Sequence, residues 1–368
     1  VKNEAGEVGC RVYVGGGMGR TPYVGLVIGD FVPKEDLLAF LEAVMRVYNQ
    51  QGRRDNKYKA RIKILVNALG IDDMRAAALR EFEEIKKSGT LQVPQAELDR
   101  IYAYFAPPAF EKLPDVSSQF ETAQQRDREF ADWVQANVHK HKQPGYAIAT
   151  VSLKPIGGVP GDATADQMEA LADMMDAMGF EEIRVSHEQN LILPHVKKRD
   201  LPAVFARLQA LGLATPNAGL ITDIIACPGL DYCDLANARS IPVAQDIARR
   251  FENLQRQHDI GELKIKISGC INACGHHHAG HIGILGVDKK GVEYYQLQLG
   301  GSGAEDASIG DIMGPGFAMH EIGGAVERVV GHYLKVRQEG ERFLDTYRRV
   351  GMEGFKNVAY QEQLHAAH

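Results

Sequence analysis

The apolar and polar positions between residues 145 and 215 predict a run of five elements. The apolar stretch GYAIATVSL predicts a strand, and the loop KPIGGVPGD separates it from a helix that begins near Ala163. Thr164 and Gln167 have the spacing of a capping box at the start of that helix. The stretch FEEIRVSHEQNLILPHV then predicts two strands, and DLPAVFARLQALG predicts a second helix. This order is typical of a ferredoxin-like α+β unit.

A second pattern occurs twice, at an offset of 285 residues. The stretches EVGCRVYVGGGMG and GVEYYQLQLGGSG each predict a strand and a glycine-rich loop, followed by helices at 35–50 and 320–337. Identical residues match without a gap: Gly6, Gly15, Gly16, Gly25, Glu42, Val44 and Tyr48 align with Gly291, Gly300, Gly301, Gly310, Glu327, Val329 and Tyr333. Glycine alone would give some matches by chance, but the shared order of elements favours an internal duplication.

The fold class predicted from these patterns is α+β, with small sheets that carry helices on one face. Residues 71–135 are helix-rich and charged and lie between the first repeat and the ferredoxin-like unit. We therefore expect four parts: a first repeat at 1–70, a helical connector at 71–140, a ferredoxin-like half-domain at 141–216, and a second repeat at 217–368.

Composition excludes several classes of protein. The chain has 368 residues, of which 45% are hydrophobic and 24% charged, as in ordinary globular proteins. No apolar run is long enough for a membrane span, and no signal peptide is visible, so we expect a cytoplasmic protein. The net charge of −6 gives no general case for nucleic-acid binding. The chain begins at Val1 inside a strand–turn pattern, so we expect that an N-terminal part is absent.

The cysteines carry the strongest chemical signal. Four of the five form two close pairs, Cys227 with Cys233 and Cys270 with Cys274. Outside small secreted proteins, thiolates grouped in this way usually bind a metal or an iron–sulfur cluster, and four match a [4Fe–4S] cluster. Zinc and two disulfides remain alternatives, although the first pair is wider than zinc spacing. Cys10 is predicted to be a buried small apolar residue.

Both cysteine pairs follow strand-like stretches, ITDII and KIKIS. We expect free backbone amides at these strand ends to donate to sulfur, which would raise the potential of a cluster. Asn272 and Gly275 permit a tight backbone around the second pair, and a helix is expected to begin near Asp234.

Three further features have two interpretations each. The stretch GRRDNKYKARIK is either a solvated face or a site for a polyanion: its cations are Arg53, Arg54, Lys57, Lys59, Arg61 and Lys63. The loop Gly15–Arg20 lacks nucleotide-loop spacing, and close approach to a flat cofactor explains its glycines equally well. Four histidines near Cys274 are either a metal site or proton relay, or buried hydrogen-bonding groups: His276, His277, His278 and His281.

The stretches ACPGLDYC, GCINACG, VGGGMG and GRRD together resemble the sulfite/nitrite reductase hemoprotein family. The resemblance implies duplicated siroheme- and cluster-binding α+β units that flank a ferredoxin-like half-domain. It implies a [4Fe–4S] cluster held by Cys227, Cys233, Cys270 and Cys274, with Cys274 also axial to the siroheme iron. The siroheme carboxylates are assigned to Arg54, Arg61 and Lys63, close approach to the macrocycle to Gly16 and Gly17, and the shape of the cluster loop to Asn272.

The implied activity is the six-electron reduction of sulfite to sulfide. Nitrite reduction to ammonia is the alternative, and an iron–sulfur electron carrier without substrate chemistry is a further one. The resemblance implies a ferredoxin or an NADPH-dependent flavoprotein as electron donor. Most anion-binding Arg and Lys residues of the family lie upstream of the glycine loop, so we assign no catalytic residue here and expect the isolated chain to be incomplete.

Overall fold

The computed structural model describes residues 1–178 and 182–361 in two compact units, Val1–Ala109 and the chain from Phe110 onward. The first unit has an antiparallel strand pair and four helices: β1 Gly9–Val14, β2 Leu26–Pro33, α1 Leu37–Gln51, α2 Ile62–Leu69, α3 Ile71–Ser88 and α4 Gln95–Tyr104. The core of the unit packs one face of the strand pair against α1, α2 and α3, with Ile28, Val47 and Met74 almost fully buried.

The second unit begins with the predicted ferredoxin-like half-domain. Its elements are α5 Ser118–Arg126, α6 Arg128–Asn137, β3 Val138–Lys140, β4 Tyr146–Val151, α7 Ala165–Met178, β5 Arg184–Val185, β6 Leu191–Lys197 and α8 Leu201–Ala210. The four strands form an antiparallel sheet in the order β3-β4-β6-β5. Residues 180 and 181, the start of the expected strand pair, lie outside the described residues.

Two details of this half-domain bear on the sequence predictions. The capping box is confirmed, because the Thr164 amide donates to Gln167 Oε1 at 2.9 Å and the Gln167 amide donates to Thr164 Oγ1 at 3.2 Å. The short strand β3 was not predicted, although it lies at the edge of the same sheet. Helix α6, which leads into it, is held by the fully buried Trp133 ring against Phe205.

The rest of the second unit is a mixed sheet covered by helices. Its elements are β7 Ile225–Ala226, α9 Ile241–Arg250, α10 Leu254–Ile260, β8 Ile265–Ser268, β9 Ile282–Lys289, β10 Val292–Leu299, β11 Asp311–Ile312, β12 Phe317–Ala318, α11 Met319–Val336, α12 Phe343–Val350 and α13 Met352–Ala359. The strand order is β11-β10-β9-β8-β7, and β12 also pairs with β10. The pairs β7–β8 and β8–β9 are parallel, and the others are antiparallel.

The structure confirms the internal duplication, down to the register of the strands. Four of the five residue pairs of β1 and β2 recur 285 positions later: Gly9 with Pro33 as Tyr294 with Ala318, Cys10 with Val32 as Tyr295 with Phe317, Tyr13 with Val27 as Gln298 with Ile312, and Val14 with Leu26 as Leu299 with Asp311. The bridge inside the first glycine loop, Gly17 with Tyr23, recurs as Ser302 with Ser308. Matching pleats and loops at one constant offset require two copies of one supersecondary unit.

The duplication extends beyond the part visible in the sequence. Helices α2 and α12 follow Arg61 and Arg342, so the offset there is 281 because the connecting loop of the second copy is four residues shorter. A Cβ on Gly15 would lie 2.9 Å from Val66 of α2, and one on Gly300 would lie 2.2 Å from Tyr347 of α12. Both glycines have positive φ angles, 81° and 89°. Each copy therefore uses a left-handed glycine to let this helix contact the glycine loop.

The Gly300→Ala substitution should destabilise the protein by about 3 kcal/mol, because strain at positive φ adds to a clash with the Tyr347 ring. Gly291→Ala is the matched control: its φ is 82°, but nothing lies within 4 Å of the added Cβ. It should cost about 1 kcal/mol, from strain alone. Urea unfolding followed by circular dichroism measures both, and equal losses would contradict the proposed contact.

Candidate metal centre

Two neighbouring parallel strands bring the cysteine segments to one edge of the sheet. β7 pairs with β8, and the Cys227 amide continues the ladder by donating to Ile267 O at 3.1 Å. Cys227 directly follows β7, and Cys270 lies two residues after the end of β8. Because parallel strands present their carboxyl ends at the same edge, both segments begin there. Each pair starts at a strand end as predicted, although β7 contains only Ile225 of the predicted stretch ITDII.

Side chains of the ferredoxin-like half-domain fix the short strand β7 from its other side. Gln189 forms two hydrogen bonds with the Ala226 backbone, donating to its oxygen at 2.9 Å and accepting from its amide at 3.1 Å. Lys154 and Asp223 form a buried ion pair of 2.6 Å beside this strand. Because an unpaired charge at a buried site is strongly destabilising, moving Lys154 away from Asp223 would cost free energy. The pair therefore holds the half-domain against the strand that leads into Cys227.

The four paired cysteines lie close enough for their charges to interact. Desolvation raises the pKa of the Cys274 thiol above its ordinary value, and negative charge on Cys227, Cys270 and Cys233 raises it further. Cys227 and Cys270 are buried, Cys233 is half-buried and Cys274 is exposed. Cys10 belongs to the other unit and is half-buried in β1, which corrects the prediction that it is buried. Its side chain lies on a pleat that is only partly covered.

The chemistry of the donor set, four unbridged thiols, fits a [4Fe–4S] cluster. All five cysteines are free thiols, so the structure does not form the two disulfides. Among the described residues, no three His, Cys, Asp or Glu side chains converge on a point that would hold a single metal ion. A zinc site needs sulfurs about 2.3 Å from one ion. In a [4Fe–4S] cluster each thiolate binds a different iron, so the four sulfurs lie further apart.

The sulfur of Cys227 has two hydrogen-bond partners. The Gly269 amide lies 3.1 Å from Cys227 Sγ, and the hydroxyl of Ser240 lies 3.4 Å from the same atom. The amide bond agrees with the expectation of free amides at the strand ends. The serine had not been singled out in the sequence, although a serine two residues before a proline at a helix start is a recognisable signal.

The prediction of a helix near Asp234 is wrong. The segment that follows Cys233 instead runs back to the second cysteine segment, because the amides of Asn237 and Ala238 both donate to Gly269 O, at 2.8 and 3.0 Å. Helix α9 begins only at Ile241, with a proline in its first turn. These amides are engaged in a non-helical contact, which is why the apparent helix signal fails.

Tight backbone packing surrounds the second cysteine pair, as predicted for Gly275. A Cβ on Gly275 would lie 1.8 Å from Ile267 O, so the position accepts no other residue without a shift of the backbone. Ala273 and His276 take positive φ angles of 60° and 55°, which are costly for residues with a Cβ. Asn272 is exposed at the turn between Cys270 and Cys274. The loop is therefore strained around the thiols.

The histidine group divides into different environments. His278 Nδ1 lies 3.2 Å from Gln298 Oε1, and the Lys264 amide donates to His281 Nδ1 at 3.3 Å, so these two fit the hydrogen-bonding interpretation. The His277 ring is fully buried, neither of its nitrogens has a hydrogen-bond partner among the described residues, and burial lowers its pKa to about 3. His276 is exposed. A proton relay through this group stays a prediction.

The first unit brings together the glycine loop and part of the basic stretch. A cavity of about 310 Å³ is lined by Gly16, Gly17, Met45, Tyr48, Arg61, Ile62 and Lys63. The Arg54 guanidinium lies over the Tyr48 ring, 4.9 Å from its centre, and also donates to Asn49 Oδ1 at 2.9 Å. Met45 and Tyr48 had not been assigned to a site, although the match of Tyr48 to Tyr333 had marked its position.

The cations of this stretch have different partners. Lys63 is buried and donates to Met18 O at 2.7 Å and Thr21 O at 2.6 Å, so it holds the glycine loop in place. Arg53 pairs with Asp55. Arg61 is exposed at the cavity. In the second copy Arg61 is matched by Arg342, which pairs with Glu262 and Asp345, whereas Lys63 is matched by the buried Leu344.

Comparison with known proteins gives two matches to family models. Residues 1–86 and 218–366 match the nitrite and sulphite reductase 4Fe-4S domain. The chain belongs to the nitrite and sulfite reductase family. Residues 139–211 match the nitrite/sulfite reductase ferredoxin-like half domain. These matches agree with the two repeats and with the half-domain between them.

Several curated relatives are similar over nearly the whole chain. Sulfite reductase [ferredoxin] 2 of Mycolicibacterium paratuberculosis is 28% identical over 91% of this chain and 55% of its own length. The chloroplastic ferredoxin–nitrite reductase of Arabidopsis thaliana is 26% identical over 92% of this chain and 53% of its own. The sulfite reductase [NADPH] hemoprotein beta-component of Methylobacterium radiotolerans is 28% identical over 93% of this chain and 50% of its own length. The chain spans about half the length of these relatives.

The solved structure of the Mycobacterium tuberculosis NirA protein has the same fold. It aligns with a TM-score of 0.70 at 25% identity and covers 94% of this chain and 58% of that one. The predicted α+β class and its ferredoxin-like half-domain are confirmed. Among residues 1–178 and 182–361, no helix combines the length and the apolar character that a membrane crossing requires.

The pKa of His281 predicts a pH dependence of folding. Burial lowers this pKa from 6.5 to about 4, so the unfolded chain binds the proton more tightly. The neutral His281 ring therefore makes its full contribution to the free energy of unfolding above about pH 6.5, and this contribution is lost as the pH falls towards 4. His281→Asn keeps an acceptor for the Lys264 amide but has no ring to protonate. Its free energy of unfolding relative to wild type should therefore rise by about 1 kcal/mol for each unit by which the pH falls in this window.

Urea unfolding between pH 7 and 4.5 measures this difference. The matched control is His139→Asn, because His139 is an exposed histidine of strand β3. A His281→Asn protein whose stability falls in parallel with wild type would contradict the assignment.

Proposed function

We propose that this protein reduces sulfite to sulfide by six electrons, with a siroheme and a [4Fe–4S] cluster as cofactors. The observation that carries the proposal is the meeting of the two cysteine pairs at one sheet edge, in a chain whose family model is a 4Fe-4S domain. The relatives named as sulfite reductases support the sulfur substrate.

The proposed cluster ligands are Cys227, Cys233, Cys270 and Cys274. Burial of Cys227 and Cys270 keeps water away from two of the sulfurs, and the exposed Cys274 is the one that a second cofactor could reach. This supports the assignment of Cys274 as the thiolate shared with the siroheme iron. Asn272 is proposed to shape the exposed turn between the last two ligands.

The proposed siroheme contacts are Gly16, Gly17, Arg54, Arg61 and Lys63. The cavity supports them because it combines two glycines, an aromatic ring and exposed cationic charge, which suits a flat polycarboxylate. Arg61 and Arg54 are the stronger candidates for pairing with carboxylates. Lys63 already binds two loop carbonyls, so its part would be to position the loop and add positive charge.

When bound, siroheme bridged to the cluster supplies an iron centre at which an oxyanion accepts electrons. The residues of this chain would hold the two cofactors and set the electrostatic field around them. No residue here is assigned to protonation of the substrate. The four-part division at residues 70, 140 and 216 and a cytoplasmic location remain proposals.

The electron donor is proposed to be a ferredoxin or an NADPH-dependent flavoprotein. Names of relatives support both classes of donor, since two are ferredoxin-dependent and one is NADPH-dependent. Nitrite reduction is the second candidate function, because the Arabidopsis relative is a nitrite reductase that matches this chain almost as well. A carrier without substrate chemistry would not need the cationic cavity of the first unit.

The visible absorption spectrum tests the proposal. The full natural protein that contains these 368 residues is purified without oxygen and recorded before and after dithionite, and then with sulfite or with nitrite in parallel. A red chlorin-type band that shifts more at low sulfite than at low nitrite is the expected result. A broad iron–sulfur shoulder without that band would contradict the reductase, and a colourless protein would favour zinc.

A further inference from the structure

We propose that Ser240 is a positioning residue whose hydroxyl donates a hydrogen bond to Cys227 Sγ and raises the reduction potential of the cluster. The inference rests on the proposed function, because it concerns the cluster bound by that sulfur. The inference goes beyond the proposed function because it names a residue other than the four cysteines that sets the reduction potential of the cluster.

The first observation is that the Ser240 hydroxyl does not cap helix α9. Ser240 precedes helix α9, where a serine usually accepts a hydrogen bond from an amide of the first turn. Here the side chain makes no such bond, and the residue has helical rather than extended backbone angles. Its hydroxyl lies 3.4 Å from Cys227 Sγ instead.

The second observation is that Ser240 is completely buried, with 0% of its surface exposed. A buried hydroxyl without a partner costs free energy, and water cannot serve it here. A cluster-bound cysteine is a thiolate and has no proton to donate. The hydroxyl must therefore be the donor in this pair once the cluster is bound.

The third observation is that glycines on the cysteine segments make the approach possible. A Cβ on Gly229 would lie 2.6 Å from the Ser240 amide nitrogen, and one on Gly269 would lie 3.2 Å from the Ser240 hydroxyl oxygen. A Cβ on Gly286 would lie 2.6 Å from the Ala238 side chain. Three glycines thus leave room for the segment 238–240 against the cysteines.

Backbone hydrogen bonds then hold that segment in place. Gly269 O accepts from Asn237 and Ala238, and the Leu230 amide donates to Ala238 O at 3.2 Å. The segment is therefore tied both to the loop that follows Cys227 and to the residue before Cys270. A hydroxyl fixed in this way donates without reorganisation when charge on the sulfur increases.

The direction of the effect follows from electrostatics. Reduction adds negative charge to the cluster and its sulfurs, and a donor aimed at a sulfur stabilises that state more than the oxidised one. The amino terminus of α9, which starts at the next residue, adds positive potential on the same side. Removing the hydroxyl should therefore make the cluster harder to reduce.

The experiment compares Ser240→Ala, Ser240→Thr and wild type by redox titration, followed by electron paramagnetic resonance of the reduced cluster. At the wild-type midpoint, Ser240→Ala should show about a fivefold lower ratio of reduced to oxidised cluster, as expected for one hydrogen bond to charged sulfur. This corresponds to about 40 mV for a one-electron couple. Ser240→Thr keeps the hydroxyl and should restore most of the wild-type value.

The matched control is Ser152→Ala. Ser152 is a fully buried serine of the same unit, but its hydroxyl donates to Asn217 Oδ1 at 2.6 Å rather than to a sulfur. Its loss should leave the midpoint unchanged. Iron and acid-labile sulfide are measured on every variant, so that a change in potential is separated from loss of the cluster.

A second measurement detects the hydrogen bond itself and not its effect on the midpoint. Each protein is produced in deuterated water, so that the buried Ser240 hydroxyl and the buried Gly269 amide both carry deuterium, and the reduced cluster is examined by electron–nuclear double resonance. The expected signal is a coupled deuteron that wild type and Ser240→Thr show and Ser240→Ala lacks.

Distinct results overturn the inference and the proposed function. An unchanged midpoint in Ser240→Ala with full cluster content, or the same set of coupled deuterons in Ser240→Ala and wild type, overturns the role of Ser240 and leaves the reductase intact. A wild-type protein without iron and sulfide overturns the proposed function, and with it the inference.

Discussion

The parallel pairing of β7 with β8 is the constraint on which the candidate site depends. These strands are short, and only two residue pairs join them. Yet their pairing sets Cys227 beside the end of β8, and the ladder continues through the Cys227 amide. Without it the two cysteine segments, separated by more than thirty residues in the sequence, would have no fixed relation. The Gln189 side chain and the buried ion pair of Lys154 with Asp223 secure β7 from the half-domain side.

The two copies of the repeat show how one supersecondary unit supports different chemistry. Their strand registers and glycine-loop bridges coincide, so the backbone frame is common to both. The first copy has a cavity beside its glycine loop, lined by Arg61 before α2 and by Lys63 within it. In the second copy Arg342 takes the place of Arg61 and pairs with carboxylates, and the buried Leu344 takes the place of Lys63. The strands that lead into the cysteine segments, β7 and β8, pair with the sheet of the second copy.

Sequence patterns were sufficient for features that depend on local chemistry. The strand ends before both cysteine pairs, the capping box of Thr164 with Gln167 and the duplication at constant offset were all predictable. The helix predicted near Asp234 does not form, because the amides of Asn237 and Ala238 donate to Gly269 O, which is distant in sequence. The contact of Ser240 with Cys227 Sγ could not be predicted for the same reason. A serine before a helix normally caps it, and the actual partner of this hydroxyl depends on tertiary packing. Lys63 likewise resembled a free cation but is bound to the glycine loop.

The central claim is that four specific cysteines bind one iron–sulfur cluster, and the fifth cysteine provides its test. Iron and acid-labile sulfide are counted per chain in anaerobically purified wild type, in Cys10→Ser and in Cys227→Ser, Cys233→Ser, Cys270→Ser and Cys274→Ser. Wild type and Cys10→Ser should each hold about four of both, and every other variant should lose most of its cluster. Equal losses in Cys10→Ser, or full cluster content in the variants of the paired cysteines, would contradict the account.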